Sequence, residues 1–478
     1  MKILLVQTPN AKGRFLNLPG KEIPLALCCL AAYLKQHDFA DVRILDLDWR
    51  GAIAPFLEEE LRRYRPDLVG ITSYTANIGL AGEVAGQVKN FRSETATVIG
   101  GLHASALPGE TLHEFQHFDY LAFGEGEMTL LELSRALESG TSPKGLAGLA
   151  WRENGGRVEL GPPRPFIDNL DALPFPDRSL VPVTKYRPDP GNYFQLPSTG
   201  ILFSRGCPFS CAYCSKAVFQ QRLRYRGVEN FIEEIEECCH KFGIRDFRLE
   251  DDGPTANPRK IGELCERLLV RERPITWNCF SRVDKVDPPL LRLMRRAGCY
   301  HVTYGVESAN EQTLKRIHKE IDLDRARQAV QWTRREGIEC KVNFIFGFPW
   351  ETLADFNNTV RYACALNPDL VSFNIFKPLP GSLLYNSMIK EGAIHHRSWE
   401  DYFVTSDTLF FDASFTEQDL RQLIQWAFLR FYFRPVYIAR RFLRLLRYPR
   451  REIRTIADGL KILGKELWQQ LRRKSIAA

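Results

Sequence analysis

The chain has 478 residues, 44% hydrophobic and 26% charged, a composition typical of a globular protein long enough for two to four domains. Its twelve cysteines are too few for a secreted disulfide scaffold, and no run of about 18 apolar residues predicts a transmembrane helix. We therefore expect a protein of the reducing cytoplasm. The net charge of +7 is local, because residues 421–478 hold 15 Lys or Arg and only 3 Asp or Glu.

Residues 1–140 alternate short apolar runs with helical patterns. Helical periodicity covers 24–37 and 127–140, and strand-like runs cover 2–9, 41–48, 67–74, 95–101 and 118–126. Apolar strands separated by helices predict a parallel sheet covered on both faces, as in a doubly wound, Rossmann-like domain. The ligand crevice of such a domain lies beyond the carboxyl ends of its strands.

The predicted strand ends of this domain carry glycines and small polar residues. Glycine lets the backbone approach a ligand closely, and Ser, Thr, His and Glu offer hydrogen bonds. We expect a ligand to contact Thr8, Ser73, Tyr74, Thr75, Gly100, Gly101, His103, Gly124, Glu125 and Gly126. A single histidine in a glycine-rich loop is more often structural than a metal ligand, so a structural role of His103 stays open beside a polar contact to the ligand.

Residues 141–196 differ in character from the preceding domain. Two short β runs flank Asn154-Gly155-Gly156, which predicts a hairpin, and a proline-rich stretch that follows predicts an ordered linker. Residues 197–385 then alternate again, with six candidate strands at 200–206, 246–252, 275–281, 300–307, 340–349 and 370–380. Six βα units predict a partial (β/α)6, TIM-like barrel whose active residues cluster at the carboxyl ends of the strands.

The last segment, residues 386–478, is predicted to be mainly helical and basic. Its arginines alternate with Phe, Tyr, Leu and Ile: Arg434, Arg440, Arg441, Arg444, Arg447, Arg450, Arg451 and Arg454. Such a pattern can cap a neighbouring domain, lie on an anionic membrane or bind nucleic acid. The many aromatic residues favour burial or lipid contact over nucleic acid.

Three cysteines fall within eight positions, at Cys207, Cys211 and Cys214, directly after the first barrel strand. Thiolates on one loop can hold zinc or an iron–sulfur cluster. A [4Fe–4S] cluster held by three cysteines leaves one iron without a protein ligand. A zinc site completed by a distant ligand, or three inert thiols, are the alternatives that spacing leaves open.

The Cys-x3-Cys-x2-Cys spacing, with Tyr213 before the third cysteine and "RGCP" around the first, resembles the signature of the radical S-adenosylmethionine (SAM) superfamily. The resemblance implies a [4Fe–4S] cluster whose open iron is chelated by the amino and carboxylate groups of SAM. An electron from the cluster then cleaves SAM to a 5′-deoxyadenosyl radical. The cofactor carries this chemistry, and the protein orients it and excludes water.

Later strand ends extend the resemblance, through "YGVES" (304–308), "NCFSRVD" (278–284) and "KVNFIFGFPWET" (341–352). Glu307 is placed to accept hydrogen bonds from the SAM ammonium and Arg282 to pair with its carboxylate, while Asn343 would contact the ribose or methionine part. The implied SAM-binding residues are Tyr213, Gly305, Glu307, Ser281, Arg282 and Asn343. A further strand end carries Glu250, Asp251 and Asp252.

A doubly wound domain before such a barrel resembles the cobalamin-binding subfamily of these enzymes, on the stretches 66–78, 98–111, 123–133 and 166–178. The resemblance makes cobalamin the expected ligand of the crevice residues named above. The Asp-x-His-x-x-Gly segment that supplies a lower histidine ligand in many cobalamin domains is missing, since the chain reads "QTPNAKG" after its first strand. We therefore expect no motif histidine on cobalt, and a domain that kept its fold without the cofactor remains an alternative.

The resemblance implies methylation of an unactivated carbon in a hydrophobic or secondary-metabolite substrate. Radical rearrangement or ring formation on a lipid or tetrapyrrole is the alternative, and a non-enzymatic Fe–S/cobalamin sensor is a third. A flavodoxin or ferredoxin is the expected electron donor, with a cytoplasmic location and optional contact of 421–478 with the inner membrane face. The expected divisions are a cobalamin domain at 1–140, a linker at 141–196, a barrel at 197–385 and a helical region at 386–478.

Overall fold

The computed structural model describes residues 1–10, 20–48, 53–153, 155–189, 191–395, 398–403, 406, 408–447 and 453. Two sheets built mainly from parallel strands follow one another along the chain, each with helices packed on it. The α/β class predicted from the alternation of apolar strands and helices is confirmed.

The first sheet has seven strands, in the order β2-β1-β3-β4-β5-β6-β7. They are β1 (Ile3–Gln7), β2 (Val42–Asp46), β3 (Leu68–Thr72), β4 (Ala96–Gly100), β5 (Tyr120–Ala122), β6 (Leu149–Arg152) and β7 (Val158–Leu160). The first five are parallel, and the predicted hairpin adds β6 and β7 antiparallel at one edge. The sheet therefore continues past residue 140, into the segment expected to open the linker.

Helices cover both faces of this sheet: α1 (Leu25–Gln36), α2 (Ala54–Tyr64), α3 (Ile78–Phe91), α4 (Leu102–Ala106), α5 (Pro108–Glu114) and α6 (Gly126–Ser139). Strand β1 serves both cores, because Ile3 and Leu5 point into one and Leu4 and Val6 into the other. Burial of each such side chain stabilises the fold by about 2 kcal/mol. The strand order reverses between β1 and β3, which places the ligand crevice at their carboxyl ends.

The second sheet is a six-stranded open barrel. Its strand order from one edge to the other is β8-β11-β12-β13-β14-β15, and all neighbouring strands are parallel. Its strands are β8 (Ser198–Ile201), β11 (Asp246–Leu249), β12 (Thr276–Ser281), β13 (Cys299–Glu307), β14 (Glu339–Phe346) and β15 (Leu370–Ile375). A two-stranded ribbon, β9 (Ser204–Arg205) with β10 (Arg224–Tyr225), follows β8. Five of the predicted barrel strands are confirmed, and the first, predicted at 200–206, is shorter and earlier: β8 ends at Ile201, and Ser204–Arg205 pair in the ribbon instead.

Seven helices accompany the barrel strands: α7 (Val228–Phe242), α8 (Pro258–Leu269), α9 (Pro288–Arg296), α10 (Glu311–Arg316), α11 (Leu323–Arg335), α12 (Leu353–Leu366) and α13 (Leu383–Lys390). Strand β14 shows how the barrel is layered, since Val342 and Phe344 are fully buried in the main hydrophobic core. Lys341 and Asn343 alternate with them and are only half-buried. Side chains at period two point to opposite faces, so these polar residues line the barrel interior.

Two helices, α14 (Glu417–Tyr432) and α15 (Pro435–Arg447), end the described chain. Arg440 donates to the carbonyl oxygen of Asn367 at 3.0 Å. Arg444 pairs with Asp369 at 3.0 Å and with Glu339 at 2.9 Å. Glu339 begins β14 and Asp369 precedes β15, so these arginines cap the amino-terminal end of the barrel, as one of the three open interpretations predicted.

The outer face of α15 is apolar. Its exposed side chains include Val436, Phe442, Leu443 and Leu446, each at least 59% exposed. Arg450, Arg451 and Arg454 and the side chain of Arg447 lie outside the described residues. Among the described residues, no helix is both long and apolar enough to cross a bilayer.

Candidate active site

The three cysteines lie in the loop that follows β9, on the carboxyl-terminal side of the first barrel strand. Gly206 starts this loop with φ +87°, and a Cβ there would overlap the carbonyl oxygen of Arg222, so the position requires glycine. Cys207 and Cys211 are half-buried and Cys214 is exposed, and all three are free thiols. The loop therefore presents three thiols beside the mouth of the barrel.

The thiols of Cys207 and Cys214 resist ionisation in the absence of a cation. Burial, together with the neighbouring charges of Cys211 and Asp252, raises the pKa of Cys214 to about 12. Burial also raises the pKa of Cys207, which the nearby Lys216 partly offsets. Thiolates on one loop need a strongly positive partner to balance their charges, and cluster iron is such a partner.

The three cysteine thiols are suited to an iron–sulfur cluster rather than to a single metal ion. In the part of the chain that the structure describes, no three His, Cys, Asp or Glu side chains converge tightly enough to hold one metal ion. A cubane differs from a single ion because each thiolate binds its own iron corner, so the three sulfurs stand further apart. The loop after β11 closes against this site, since a Cβ on Gly253 would lie 3.5 Å from the Cys207 Sγ.

The end of β13 carries a buried carboxylate with two donors. Glu307 Oε1 accepts hydrogen bonds from the Tyr213 hydroxyl at 2.9 Å and from the Lys319 ammonium at 2.9 Å. The carboxylate folds back over Gly305, where any Cβ would overlap it. Burial and the nearby Glu307 raise the pKa of Tyr213 well above its usual range, so the phenol remains a donor. The structure thus brings Tyr213, Gly305 and Glu307 together, as expected from the sequence.

Asn343 faces the same part of the barrel from the next strand. It lies opposite Gly305 in the register of β13 and β14. Its Oδ1 is buried without a hydrogen-bond partner among the described residues. A buried acceptor without a donor costs about 1–3 kcal/mol, and such atoms commonly mark a ligand site. This orphaned oxygen fits the contact to SAM that the sequence predicts for Asn343.

Ser281 and Arg282 lie at the end of β12, beside the cysteine loop. The Ser281 hydroxyl is 2.7 Å from that of Thr255. Arg282 donates to Asp284 at 2.9 Å, and its guanidinium lies 4.1 Å above the ring of Phe209 in the cysteine loop. The guanidinium is therefore adjacent to the cluster loop but is already paired with a carboxylate of its own chain segment.

The crevice of the first domain opens between β1 and β3, as the strand order requires. Thr8 is buried and donates to the carbonyl oxygen of Thr72 at 2.7 Å, which joins the two strand ends. Ser73 Oγ is buried without a partner among the described residues. Gly101 has φ +106°, and a Cβ there would lie 2.6 Å from the Ser73 carbonyl oxygen. This tight polar junction, with an orphaned hydroxyl, fits a cofactor lying over the strand ends.

His103 lies deeper, at the start of α4. Its Nδ1 is 3.3 Å from the Thr75 hydroxyl, and its ring packs edge-on against Trp399 with 4.7 Å between the centroids. Its Nε2 is buried without a partner among the described residues. Burial lowers the pKa of His103 to about 4, so the ring is neutral near pH 7. A neutral imidazole with one free nitrogen can make a polar contact to a cofactor.

The other predicted crevice residues occupy the neighbouring strand ends. Gly100 ends β4, Gly124 turns the chain after β5 with φ +78°, and Gly126 begins α6. Tyr74 follows β3 and is 55% exposed.

Glu125 has a different environment from the one expected. Its carboxylate pairs with Arg205 at 2.9 Å and with Arg224 at 2.9 Å, and it accepts a hydrogen bond from the Ile167 N–H at 2.8 Å. Burial raises the pKa of Glu125, but the two arginines outweigh it and hold the pKa below its usual value. The side chain therefore turns toward the barrel ribbon, because two buried guanidinium groups require a counter-charge.

Sequence reasoning missed two cations of this site. Lys319 lies twelve residues after Glu307 and binds it, and no spacing rule predicts such a contact across a turn. Lys216 follows Cys214 by two positions, and its Nζ is buried without a hydrogen-bond partner among the described residues. Its position next to the cysteines was a usable signal, since positive charge near a cluster affects its potential.

Comparison with known proteins agrees with this geometry. Residues 201–363 match the radical SAM superfamily, and residues 11–134 match the B12 binding domain. An uncharacterized methyltransferase of Pyrococcus horikoshii is 33% identical over 91% of this chain and 93% of the relative. The chain belongs to the radical SAM superfamily. The anaerobic magnesium-protoporphyrin IX monomethyl ester cyclase of Rubrivivax gelatinosus is 30% identical to this radical SAM protein, over 81% of the chain and 70% of the cyclase.

A solved structure has the same fold along most of the chain. The radical SAM methyltransferase TsrM from Kitasatospora setae, with cobalamin and a [4Fe–4S] cluster bound, superposes with a TM-score of 0.67. The match covers 82% of this radical SAM protein and 78% of TsrM, at 21% sequence identity. The order of a doubly wound domain, a barrel and a helical end is therefore shared.

Proposed function

We propose that this radical SAM enzyme methylates an unactivated carbon with the help of cobalamin. The observation that carries the proposal is the pairing of two cofactor-type sites in one chain. Three free thiols and the Asn343 oxygen, which has no hydrogen-bond partner among the described residues, lie at the mouth of the barrel. The Ser73 hydroxyl, which also has none among them, lies where the strand order of the first sheet reverses, between β1 and β3. Two matched domains, radical SAM and B12-binding, support the same assignment.

At the barrel, the proposed roles follow from the contacts. Cys207, Cys211 and Cys214 would hold a [4Fe–4S] cluster, which supplies reductive cleavage of SAM to a carbon radical. Glu307 offers a carboxylate already oriented by Tyr213, and Asn343 offers an unpaired amide oxygen. The missing side chain at Gly305 makes room for the Glu307 carboxylate, while Ser281 and Arg282 line the adjoining strand end. Together these residues would bind SAM and orient it against the cluster.

In the first domain, Thr8, Ser73, Thr75 and His103 would contact cobalamin through hydroxyl and imidazole groups. Gly100, Gly101, Gly124 and Gly126 would keep side chains away from a large planar macrocycle. The buried, neutral His103 packs against Trp399, which favours a polar contact over cobalt ligation.

The proposed substrate space lies between the two domains. Tyr74 is 55% exposed, yet burial is the largest cause of its raised pKa, followed by the charges of Glu250 and Glu22. Since Glu250 follows β11 of the barrel, this exposed ring of the first domain stands close to the barrel's strand ends. Phe280 of β12 is 36% exposed, with the Arg248 guanidinium 5.5 Å from its ring. Aromatic walls beside charged groups fit a hydrophobic substrate that carries one polar group.

Radical rearrangement or ring formation without methyl transfer is the second candidate, because a relative of this chain is named as a cyclase. A sensor is a third candidate, which would not need to cleave SAM. Anaerobic reconstitution with cobalamin separates the three. Methylation predicts a cobalamin absorption band that survives desalting, 5′-deoxyadenosine, and methyl transfer from labelled SAM. Ring formation predicts 5′-deoxyadenosine without methyl gain. An intact cluster that does not cleave SAM would refute both enzymatic candidates and leave the sensor.

We place the enzyme in the cytoplasm, with a flavodoxin or ferredoxin as electron donor. We also propose that the apolar outer face of α15 contacts a membrane surface, since its basic face is engaged by the barrel. Sedimentation with anionic lipid vesicles tests this contact. Leu443→Glu with Leu446→Glu should abolish sedimentation, whereas Leu160→Glu, at an exposed site on β7, should not.

A further inference from the structure

A strained turn follows α10 and carries Lys319 at its centre. His318 has φ +52° and Glu320 has φ +47°, so two non-glycine residues in the left-handed region flank the lysine. Such a conformation costs about 1 kcal/mol or more per residue and persists only where surrounding contacts hold it. Observed strain of this kind concentrates at functional sites.

The turn touches three separate segments of the candidate SAM site. The Ile317 carbonyl oxygen accepts from the backbone N–H of Ala212, in the cysteine loop, at 2.8 Å. The Glu320 carbonyl oxygen accepts from Arg282, at the end of β12, at 3.3 Å. Lys319 reaches the end of β13. One turn thus connects the cysteine loop with two strand ends.

The Lys319 side chain is buried in the middle of these contacts. Its Nζ lies 2.9 Å from Glu307 Oε1 and 3.2 Å from the Tyr213 hydroxyl. Only 5% of the residue is exposed. Both donors converge on Oε1, and no group in the described ranges donates to Oε2. The carboxylate is therefore held at one oxygen, and the other is left to accept from a ligand.

We propose that Lys319 is a positioning residue for SAM, acting through Glu307 and Tyr213. The proposal rests on the proposed function, because it requires that SAM binds at Glu307. The Lys319 ammonium supplies the counter-charge that this buried carboxylate needs, since a buried charge without a partner is strongly destabilising. It also orients Oε2 before SAM arrives, so that less conformational freedom is lost on binding. Glycine at position 305 is needed because Nζ would lie 2.9 Å from any Cβ there.

The test compares Lys319→Met with Lys319→Arg in the anaerobically reconstituted enzyme. We expect Lys319→Met to keep wild-type iron and sulfide contents and the wild-type electron paramagnetic resonance spectrum without SAM. Titration with SAM, followed by the change in that spectrum, should give a dissociation constant raised at least about tenfold. Lys319→Arg should restore most of the affinity. Lys315→Met removes the same charge from the exposed face of α10 and should bind SAM as the wild type does.

Wild-type SAM affinity in Lys319→Met would overturn the proposal. Loss of the cluster from a Lys319→Met protein with a native circular dichroism spectrum would also overturn it, since the lysine would then support the cysteine loop. If Lys319→Met unfolds, Lys319→Gln, which retains a donor, takes its place under the same two criteria. A wild-type enzyme that binds a cluster but no SAM would refute the proposed function instead, before any variant is compared.

Discussion

Arg205, two residues before Cys207, pairs with Glu125 of the first domain at 2.9 Å, and both side chains are buried. Arg205 also pairs with Glu127, and Arg224 of the same ribbon pairs with Glu125 at 2.9 Å. The ribbon that leads into the cysteine loop is thus tied by charge to the strand end that leads into α6. This ion cluster holds the proposed cobalamin domain in one register against the proposed cluster loop.

Glu125→Gln should lower the free energy of unfolding of the cofactor-free protein by about 3 kcal/mol near pH 7, since it removes the carboxylate that pairs with buried Arg224 and leaves buried Arg205 with Glu127 alone. The pKa of Glu125 is below its usual value, so its stabilisation is complete above that value and is lost as the pH falls through the folded-state pKa. The difference between wild type and variant should therefore shrink below about pH 4.

Urea denaturation at pH 7 and in acid measures this difference. Glu138→Gln is the matched control, because Glu138 pairs with the chain's amino terminus and its side chain is 52% exposed. An exposed pair contributes at most about 1 kcal/mol. A Glu125→Gln effect no larger than that of the control, or one that does not change with pH, would contradict the prediction.

The triple variant Cys207→Ala, Cys211→Ala, Cys214→Ala should lose the cluster and retain cobalamin, because the two proposed sites lie in different domains. Iron content and the absorption spectrum after desalting measure both in one sample. Cys238→Ala, a change of a buried thiol in α7 away from the loop, should keep both cofactors. Loss of cobalamin from the triple variant would argue that one site cannot form without the other.

Lys216→Met should lower the reduction potential of the cluster by an amount on the order of tens of millivolts, because it removes a nearby positive charge. Burial raises the pKa values of Cys207 and Cys214, and the Lys216 ammonium is close enough to oppose that rise. Potentiometric titration followed by electron paramagnetic resonance gives the potential. Lys241→Met, on the exposed face of α7, is the control. An unchanged or raised potential in Lys216→Met would refute the electrostatic role.

Most of the fold could be predicted because its signal is local. The run at 340–349 predicts a strand, and β14 covers Glu339–Phe346. The hairpin was also predictable from its turn residues, but its place was not. Pairing of Leu149 with Ala122 adds it to the first sheet, and no local pattern encodes that edge contact. Register between distant strands depends on packing of the whole sheet.

Some residues of the candidate site could be predicted from the sequence, and others could not. Cys207 and Glu307 stand in short motifs and could be named from the sequence. Lys319 could not, because its contact with Glu307 depends on a strained turn. The arginines of α15 were visible as a pattern, but which face they occupy was not. Their partners, such as Asp369, are distant in the sequence and lie beneath the barrel.

Glu351, in the "GFPWET" stretch, should make stability fall as the pH rises. Burial raises the pKa of Glu351 to about 7, although its carboxylate accepts from Ser308 at 3.1 Å and from the Phe348 N–H at 3.3 Å. The folded state therefore binds this proton more tightly than the unfolded state does. Stability that depends on the proton is complete below the usual glutamate pKa and is lost as the pH rises through about 7.

The free energies of unfolding of cofactor-free wild type and Glu351→Gln, measured in urea at pH 5 and pH 8, test this sign. Glutamine cannot ionise, so the variant should lose less stability than the wild type between the two values, by an amount on the order of 1–3 kcal/mol. Glu311→Gln changes an exposed carboxylate on α10 and should follow the wild type. A Glu351→Gln protein that loses more stability than the wild type on going to pH 8 would show that Glu351 is ionised and favourable in the folded state.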